Sequence, residues 1–323
     1  MATSEQLLSL VRAHYDNNDE QFKTVALQIA AHESKIGHTV FARTLKDIVM
    51  KQKTNQFVRT IKPVDNSLIT QRISKNRKND LIVSEKLDRQ INTIILEFTQ
   101  RSKLSMNGYT NRRKILLEGL PGTGKTLTAS VLSNELKLPL YIVQTDKLIS
   151  KYMGETGAKL RQIFDLISQN IGIYFFDEFD SIGTERSSDN DVKEIHRVLN
   201  LFLQFIEQDT SDSIIIAATN SGNLLDQALF RRFDDVLRFG LPSNDEIKKL
   251  FDLKLNKFMN RKTINQDTIN LAVGLCHADI AKACENAIKQ AILNDKKYVS
   301  HDSIKEMLIE RKIVYQLKEV NNG

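Results

Sequence analysis

Apolar residues recur at helical spacing through the first fifty positions of the chain. Leu7, Leu8, Val11 and Tyr15 share one face, Phe22, Val25, Ala26, Ile29 and Ala30 a second, and Phe41, Leu45, Ile48 and Val49 a third. Gly37 stands where a helix C-terminus favours a glycine. Three short amphipathic helices predict a small bundle over residues 1–53. The polar, basic stretch 54–79 reads as a linker. From Leu81 the pattern changes. A helix over "SEKLDRQINTIILEFTQRSKL" leads to the basic turn "NGYTNRRK". The short runs "KILLEG", "LPLYIV", "IGIYFF", "SIIIAAT" and "DVLRFG" then alternate with helical stretches. They are apolar on both faces, as strands of a parallel sheet covered by helices on each side must be. After Pro242 the strands stop, and "SNDEIKKLFDLKLNKFM", "NQDTINLAVG", "ADIAKACENAIKQAIL" and "SHDSIKEMLIERKI" predict four helices. The expected fold is therefore α/β over residues 80–241, followed by a helical unit over 242–323.

Composition narrows the class. With 41% hydrophobic and 27% charged residues the chain is globular. It has no apolar run long enough to cross a membrane. Its N-terminus, "MATSEQLLSLVRAHYD", lacks the basic start and apolar core of a secretion signal, so a cytoplasmic location is expected. Cys276 and Cys284, without a second pair, read as reduced packing thiols. The net charge of +6 is unevenly spread: Lys51 to Lys78 carries eight basic residues against one acid, Asp65. Such a segment fits a nucleic acid or an acidic partner, but it has almost no aromatic residues for base stacking. The pair in "HESKIGH" has Ile36 where a zinc-peptidase pattern needs histidine, so no metal is expected there.

The chemistry lies at the strand ends. "GLPGTGKT", Gly119 to Thr126, follows the first strand and opens a helix, the full phosphate-binding loop pattern in its proper context. Its glycines let backbone N–H groups converge on phosphate oxygens, and the helix dipole adds to them. Lys125 can reach the β- and γ-phosphates, and the Thr126 hydroxyl can ligate Mg²⁺. "IYFFDEFD" ends the third strand with Asp177, a second Mg²⁺ ligand, and Glu178, a carboxylate able to polarise an attacking water. "IIIAATN" ends the fourth with Asn220, whose amide can hold water and γ-phosphate together. Arg231 and Arg232, in "DQALFRRFDD", lie far along the chain from the loop. As cationic fingers acting on a neighbour's nucleotide they would require an oligomer. As a surface cluster they would pair with Asp234 and Asp235. A last stretch, "SKYMGE", sets Tyr152 and Met153 side by side in a polar run.

Taken together, "GLPGTGKT", "YFFDEFD", "AATN", "ALFRRFD" and "GLCHADI" occur in the order and spacing of AAA ATPases, which residues 80–312 resemble. The resemblance is nearest to the branch that holds katanin, spastin and bacterial single-ring AAA proteins. It implies a five-stranded parallel sheet in the order 5-1-4-3-2, a four-helix lid, and a homohexameric ring with ATP and Mg²⁺ between subunits. ATP-binding positions carried over are Gly119, Pro121, Gly122, Thr123, Gly124, Lys125, Thr126 and Leu127, with Ile247, Phe251, Gly274 and Ala278 from the lid. Thr126 and Asp177 would hold the metal, and Glu178, Asn220, Arg231 and Arg232 would act in hydrolysis. "SKYMGE" corresponds to a first pore loop, in which Lys151, Tyr152 and Met153 grip a polypeptide. Residues 183–191 correspond to a second. Phe251 replaces a histidine often found in relatives. Cys276 and His277 stand where relatives carry smaller polar and glycine residues.

The expected function is an ATP-hydrolysing motor that threads protein clients through a hexameric pore, alone or feeding a separately encoded protease or adaptor. Two alternatives are a nucleic-acid motor or loader, which the basic linker favours and the pore-loop pattern opposes, and an ATP-switched scaffold, which Glu178 opposes. No membrane partner is expected.

Overall fold

The computed structural model describes residues 4–15, 19–51, 67–148, 153–179, 189–220, 230–259 and 264–321. The chain divides into two compact units, Met1–Lys62 and Pro63–Gly323.

The first unit is a three-helix bundle: α1 (Ser4–Tyr15), α2 (Asp19–Lys35) and α3 (Thr39–Lys51). Gly37, at φ +94°, turns the chain from α2 into α3. The α2 stripe points inward as expected, with Val25, Ala26, Ile29 and Ala30 buried beside Ala13 and Ala42. In the other two stripes Leu45 is half-buried, but three residues are corrected. Leu8, Val11 and Phe41 are exposed by 58%, 51% and 54%, and small alanines occupy the contact instead. Close helix approach needs small residues at the seam, which an apolar count along one helix does not reveal.

The second unit holds a six-stranded sheet ordered β1-β3-β4-β5-β2-β6. The five strands expected are β2 (Lys114–Gly119), β3 (Leu140–Val143), β4 (Ile173–Phe176), β5 (Ile214–Thr219) and β6 (Asp235–Phe239). They are mutually parallel and stand in the expected order 5-1-4-3-2. The sixth, β1 (Ile69–Arg72), lies within the stretch read as linker. It pairs antiparallel along the edge of β3, Ile69 opposite Val143 and Arg72 opposite Leu140. Its sequence "ITQR" has too little apolar content to announce a strand, because only Ile69 and the preceding Leu68 are covered.

Both faces of the sheet are packed. On one, α8 (Met153–Gln169) and α9 (Asp189–Gln208) cover Tyr141, Tyr174 and Phe176, with Phe164 and Phe202 interleaved. On the other, α4 (Glu85–Thr99) and α6 (Lys125–Leu136) cover Ile115, Leu117, Phe175 and Ile216. Ser84 caps α4 by accepting from the Leu87 amide. The short helices α5 (Arg101–Met106) and α7 (Thr145–Leu148) complete this part. Its base is fastened by the basic turn: Arg113 donates to the Asp209 carboxylate, and Asp234 accepts from the Arg113 and Lys114 amides at 2.9 Å each.

Four helices follow: α10 (Asn244–Leu255), α11 (Gln266–Ala272), α12 (His277–Leu293) and α13 (His301–Asn321). A Ser243–Glu246 capping box starts α10. Ile247, Phe251, Ile280, Cys284, Ile304 and Leu308 form a separate core for this lid. Both cysteines are free and buried; burial pushes the Cys284 thiol up to about 12, so it is an inert packing group.

Candidate active site

The strand order brings the expected site together. β2, β5 and β4 are neighbours, with Glu118 level with Thr219 and Phe176 level with Ala217. The residues that follow them therefore emerge at one edge of the sheet: the loop 119–124, Asn220, and Asp177 with Glu178. Neighbouring strands lie only about 4.8 Å apart, so residues far apart in sequence become contact partners.

The contacts bear this out. Lys125 is buried at 7% exposure, and its ammonium donates to the Gly119 carbonyl at 2.6 Å, the Leu120 carbonyl at 3.0 Å and Asn220 Oδ1 at 2.8 Å. The Thr126 hydroxyl donates to Asp177 Oδ2 at 3.1 Å. A hydroxyl and a carboxylate converging in this way are the oxygen donors a hard divalent cation takes. Glu178 is exposed, and its backbone sits at φ +47°, a left-handed conformation that a non-glycine residue adopts at a cost. Its amide is held by Asp177 Oδ1 at 3.0 Å. The acidic pair is thus posed by backbone geometry at the mouth of the loop.

The loop itself needs its glycines. A Cβ on Gly122 would fall 2.6 Å from Cys276 Sγ and 3.0 Å from the Ala278 methyl. The Ala278 amide donates to the Gly122 carbonyl at 3.0 Å, so the start of α12 rests directly on the loop backbone. Cys276 Sγ donates in turn to Asp279 Oδ2 at 2.8 Å.

A cavity of about 340 Å³ opens between the loop and the lid. Pro121, Gly122, Thr123, Gly124, Lys125, Thr126, Leu127, Asp177, Glu178, Asn220 and Ala278 line it, all expected. Gly119 takes part through its carbonyl. Gly274, at φ +89°, closes the turn after α11 and is not in the wall. The expected lid pair is corrected. Ile247 and Phe251 are fully buried in the lid core, and Leu250 and Lys254 line the cavity instead. Both pairs have i, i+4 spacing, and they differ by a rotation of about 60° round α10. Lys254, and not Phe251, thus faces the cavity.

The remaining wall was not read from the sequence. Asp80, Leu81 and Ile82, ahead of α4, line it, as do His277 and Ala281 of α12. "DLI" has no motif of its own. His277 had a signal, its departure from the family pattern. Burial holds its imidazole below the usual histidine range, with Glu246 opposing.

Arg231 and Arg232 lie outside the cavity wall, on the turn into β6. Asp234 and Asp235 are engaged elsewhere: Asp234 by the Arg113 and Lys114 amides, Asp235 by Arg112 at 2.9 Å and Gln90 at 3.0 Å. Arg232 instead meets Glu207 at 3.1 Å, and Arg231 is exposed. Lys151, Tyr152 and most of 183–191 lie outside the described residues. Met153 is the first residue of α8.

Comparison with known proteins agrees with the fold. The profile of the ATPase family associated with various cellular activities (AAA) matches residues 115–241. An uncharacterized AAA family ATPase of Sinorhizobium fredii is 34% identical over 309 residues, 93% of this chain and 92% of that protein. A proteasome-activating nucleotidase of Methanococcus vannielii is 31% identical over 211 residues, 63% of this chain and 52% of that protein. The ATP-dependent zinc metalloprotease FtsH 2 of a Thermoanaerobacter species is 29% identical over 237 residues, 71% and 46% respectively. The chain thus spans about half the length of these last two relatives. It belongs to the AAA family and is an ATPase. Among the described residues, no helix is long and apolar enough to cross a membrane.

Proposed function

We propose that the chain is a Mg²⁺-dependent motor that assembles into a ring of its own copies and uses ATP hydrolysis to unfold or remodel protein clients. The observation that carries this reading is the convergence of Lys125, Asn220, Thr126, Asp177 and Glu178 on one cavity. Lys125 neutralises the terminal phosphates and exchanges its carbonyl partners for phosphate oxygens. Thr126 and Asp177 would hold Mg²⁺, which when bound offsets the phosphate charge. Glu178 orients a water and takes its proton as the water attacks the γ-phosphorus and the bond to the β-phosphate oxygen breaks, releasing ADP, and Asn220 fixes that water against the phosphate. Arg231 and Arg232 serve the cavity of the adjacent subunit, which accounts for two conspicuous cations outside their own site. Tyr152 and Met153 contact the client. A proteasome-activating nucleotidase and an ATP-dependent zinc metalloprotease among the relatives support a protein client and leave a partner protease open.

The test is Glu178→Gln. The amide keeps the shape but cannot accept the proton, so ATP should bind with near wild-type affinity while turnover falls at least about 100-fold. Lys125→Ala should instead abolish binding. Hydrolysis by Glu178→Gln at the wild-type rate would overturn the assignment. Proteins that co-purify with the Gln variant under ATP would identify the client class, and stimulation of turnover by DNA or RNA would turn the reading toward nucleic acid.

A further inference from the structure

The cavity wall carries two chemically distinct sets of side chains. Lys125, Asp177, Glu178 and Asn220 are its polar part; Leu81, Ile82, Leu250, Ala278 and Ala281 are its apolar part. A nucleotide that sets its phosphates on the loop directs its nucleoside against the apolar part, which needs a few placed polar groups to give specificity. Three other ionisable side chains line the cavity: Asp80, Lys254 and His277. Asp80 already accepts from the Arg77 amide at 2.7 Å. Lys254 is an exposed flexible amine.

His277 differs from both. Its ring is part of the wall, yet both ring nitrogens are closed off from solvent and neither has a hydrogen-bond partner. Buried polar groups are seldom left so, and a ligand absent from the structure is one of the few explanations for such a group. Glu246, the carboxylate that acts on the ring, is committed to the Ser243 amide at 2.6 Å in the α10 capping box. Burial keeps the imidazole neutral, leaving one donor and one acceptor nitrogen, the pair a base edge or a ribose hydroxyl can satisfy. His277 is also the first residue of α12, one position before the Ala278 amide that rests on Gly122. Its backbone is thereby held beside the loop, and its ring already forms part of the cavity wall.

We propose that His277 reads the nucleoside: when nucleotide binds, its imidazole rotates into the cavity and makes a hydrogen bond to the base or ribose. The inference rests on the reading of this cavity as the ATP site. It makes His277 a specificity-determining residue through its side chain, which a glycine at that position would not offer.

Calorimetry on the full chain tests it, with Mg²⁺-ADP and inorganic tripolyphosphate as the two probes. The second carries the phosphate contacts without a nucleoside. His277→Ala should weaken ADP about 5- to 10-fold, the value of one neutral hydrogen bond, and leave tripolyphosphate within about twofold. His277→Gln, which keeps a donor and an acceptor, should recover most of the loss. Unchanged ADP affinity in His277→Ala would overturn the proposal. So would a parallel loss of tripolyphosphate binding, which would mean that the ring merely shapes the loop, or a failure of Gln to restore affinity. Wild-type protein that binds neither probe would refute the nucleotide reading of the cavity itself, an outcome distinct from the other three.

Discussion

At the scale of single residues, the site depends on positions where a side chain is excluded. Gly119 ends β2 opposite Phe239, and a Cβ there would fall 2.3 Å from the Phe239 carbonyl oxygen and 2.8 Å from its Cβ. Neither atom can retreat, because both belong to the paired strand β6. Gly119→Ala should therefore destabilise the protein by about 1–3 kcal/mol in urea unfolding, the cost of overpacking. It should also weaken nucleotide binding, since the Gly119 carbonyl is one of the groups that positions Lys125. A variant as stable as wild type would show that β6 can shift, against the close register seen here. Glu178 is the counterpart: a non-glycine residue held at positive φ, where backbone strain is tolerated to pose a carboxylate.

Between elements, the decisive fastening is at the base of the sheet, opposite the cavity. Arg113 enters β2 and donates to both the carboxylate and the carbonyl of Asp209, just past the end of α9. Both side chains are largely buried, so removing one partner strands a charge. Asp209→Ala should cost about 3–5 kcal/mol in urea unfolding. Replacing the pair together, Arg113→Met with Asp209→Leu, should recover most of that loss, because two apolar groups leave nothing unpaired. A double variant no more stable than Asp209→Ala alone would assign the loss to packing and not to charge. Among the described residues, the site edge of the same strands has no ion pair buried on both sides; Arg238 there meets Glu118 with its arginine exposed. That edge is held by Lys125, Asn220, Thr126 and Asp177, whose contacts a nucleotide must partly replace.

For the whole molecule, the prediction concerns assembly. Arg231 and Arg232 lie outside the cavity wall of their own chain, so on the proposed function an inactive Lys125→Ala chain mixed with an inactive Arg231→Ala/Arg232→Ala chain should regain ATPase activity. Some interfaces then join an intact loop to intact arginines. Additive inactivity of the mixture, or full wild-type activity in a species that sedimentation shows to be a monomer, would refute the ring. The ion pair between Arg232 and Glu207 adds a detail: Arg231 is the arginine exposed in the single chain, and its loss alone should be the more damaging. Tyr152 tests the motor. Tyr152→Ala should leave nucleotide affinity and assembly intact while abolishing client unfolding, and Tyr152→Phe should be mild, because an aromatic grip acts through area. Normal client processing by Tyr152→Ala would remove the pore-loop assignment.

The parts legible in the sequence were those set by local chemistry. A loop of glycines before Lys125 and Thr126, acids at the end of "IYFF", and strands apolar on both faces each have a pattern that follows from covalent geometry or from complete burial. The order of the five parallel strands came with the family motifs. What only the tertiary structure decided depends on a neighbour. "ITQR" is a strand because β3 offers it an open edge, not because of its own four residues. Leu8, Val11 and Phe41 are apolar yet exposed, because alanines form the helix seams. Along α10, Ile247, Leu250, Phe251 and Leu255 are all apolar, so periodicity permits several rotations of the helix. The packing of α10 against α12 turns Ile247 and Phe251 into the lid core and leaves Leu250 and Lys254 on the cavity. Likewise "GLCHADI" names His277, but only folding closes its nitrogens off from water beside the cavity. Local pattern fixes what a residue can do; the contacts that make it do so come from parts of the chain it cannot foresee.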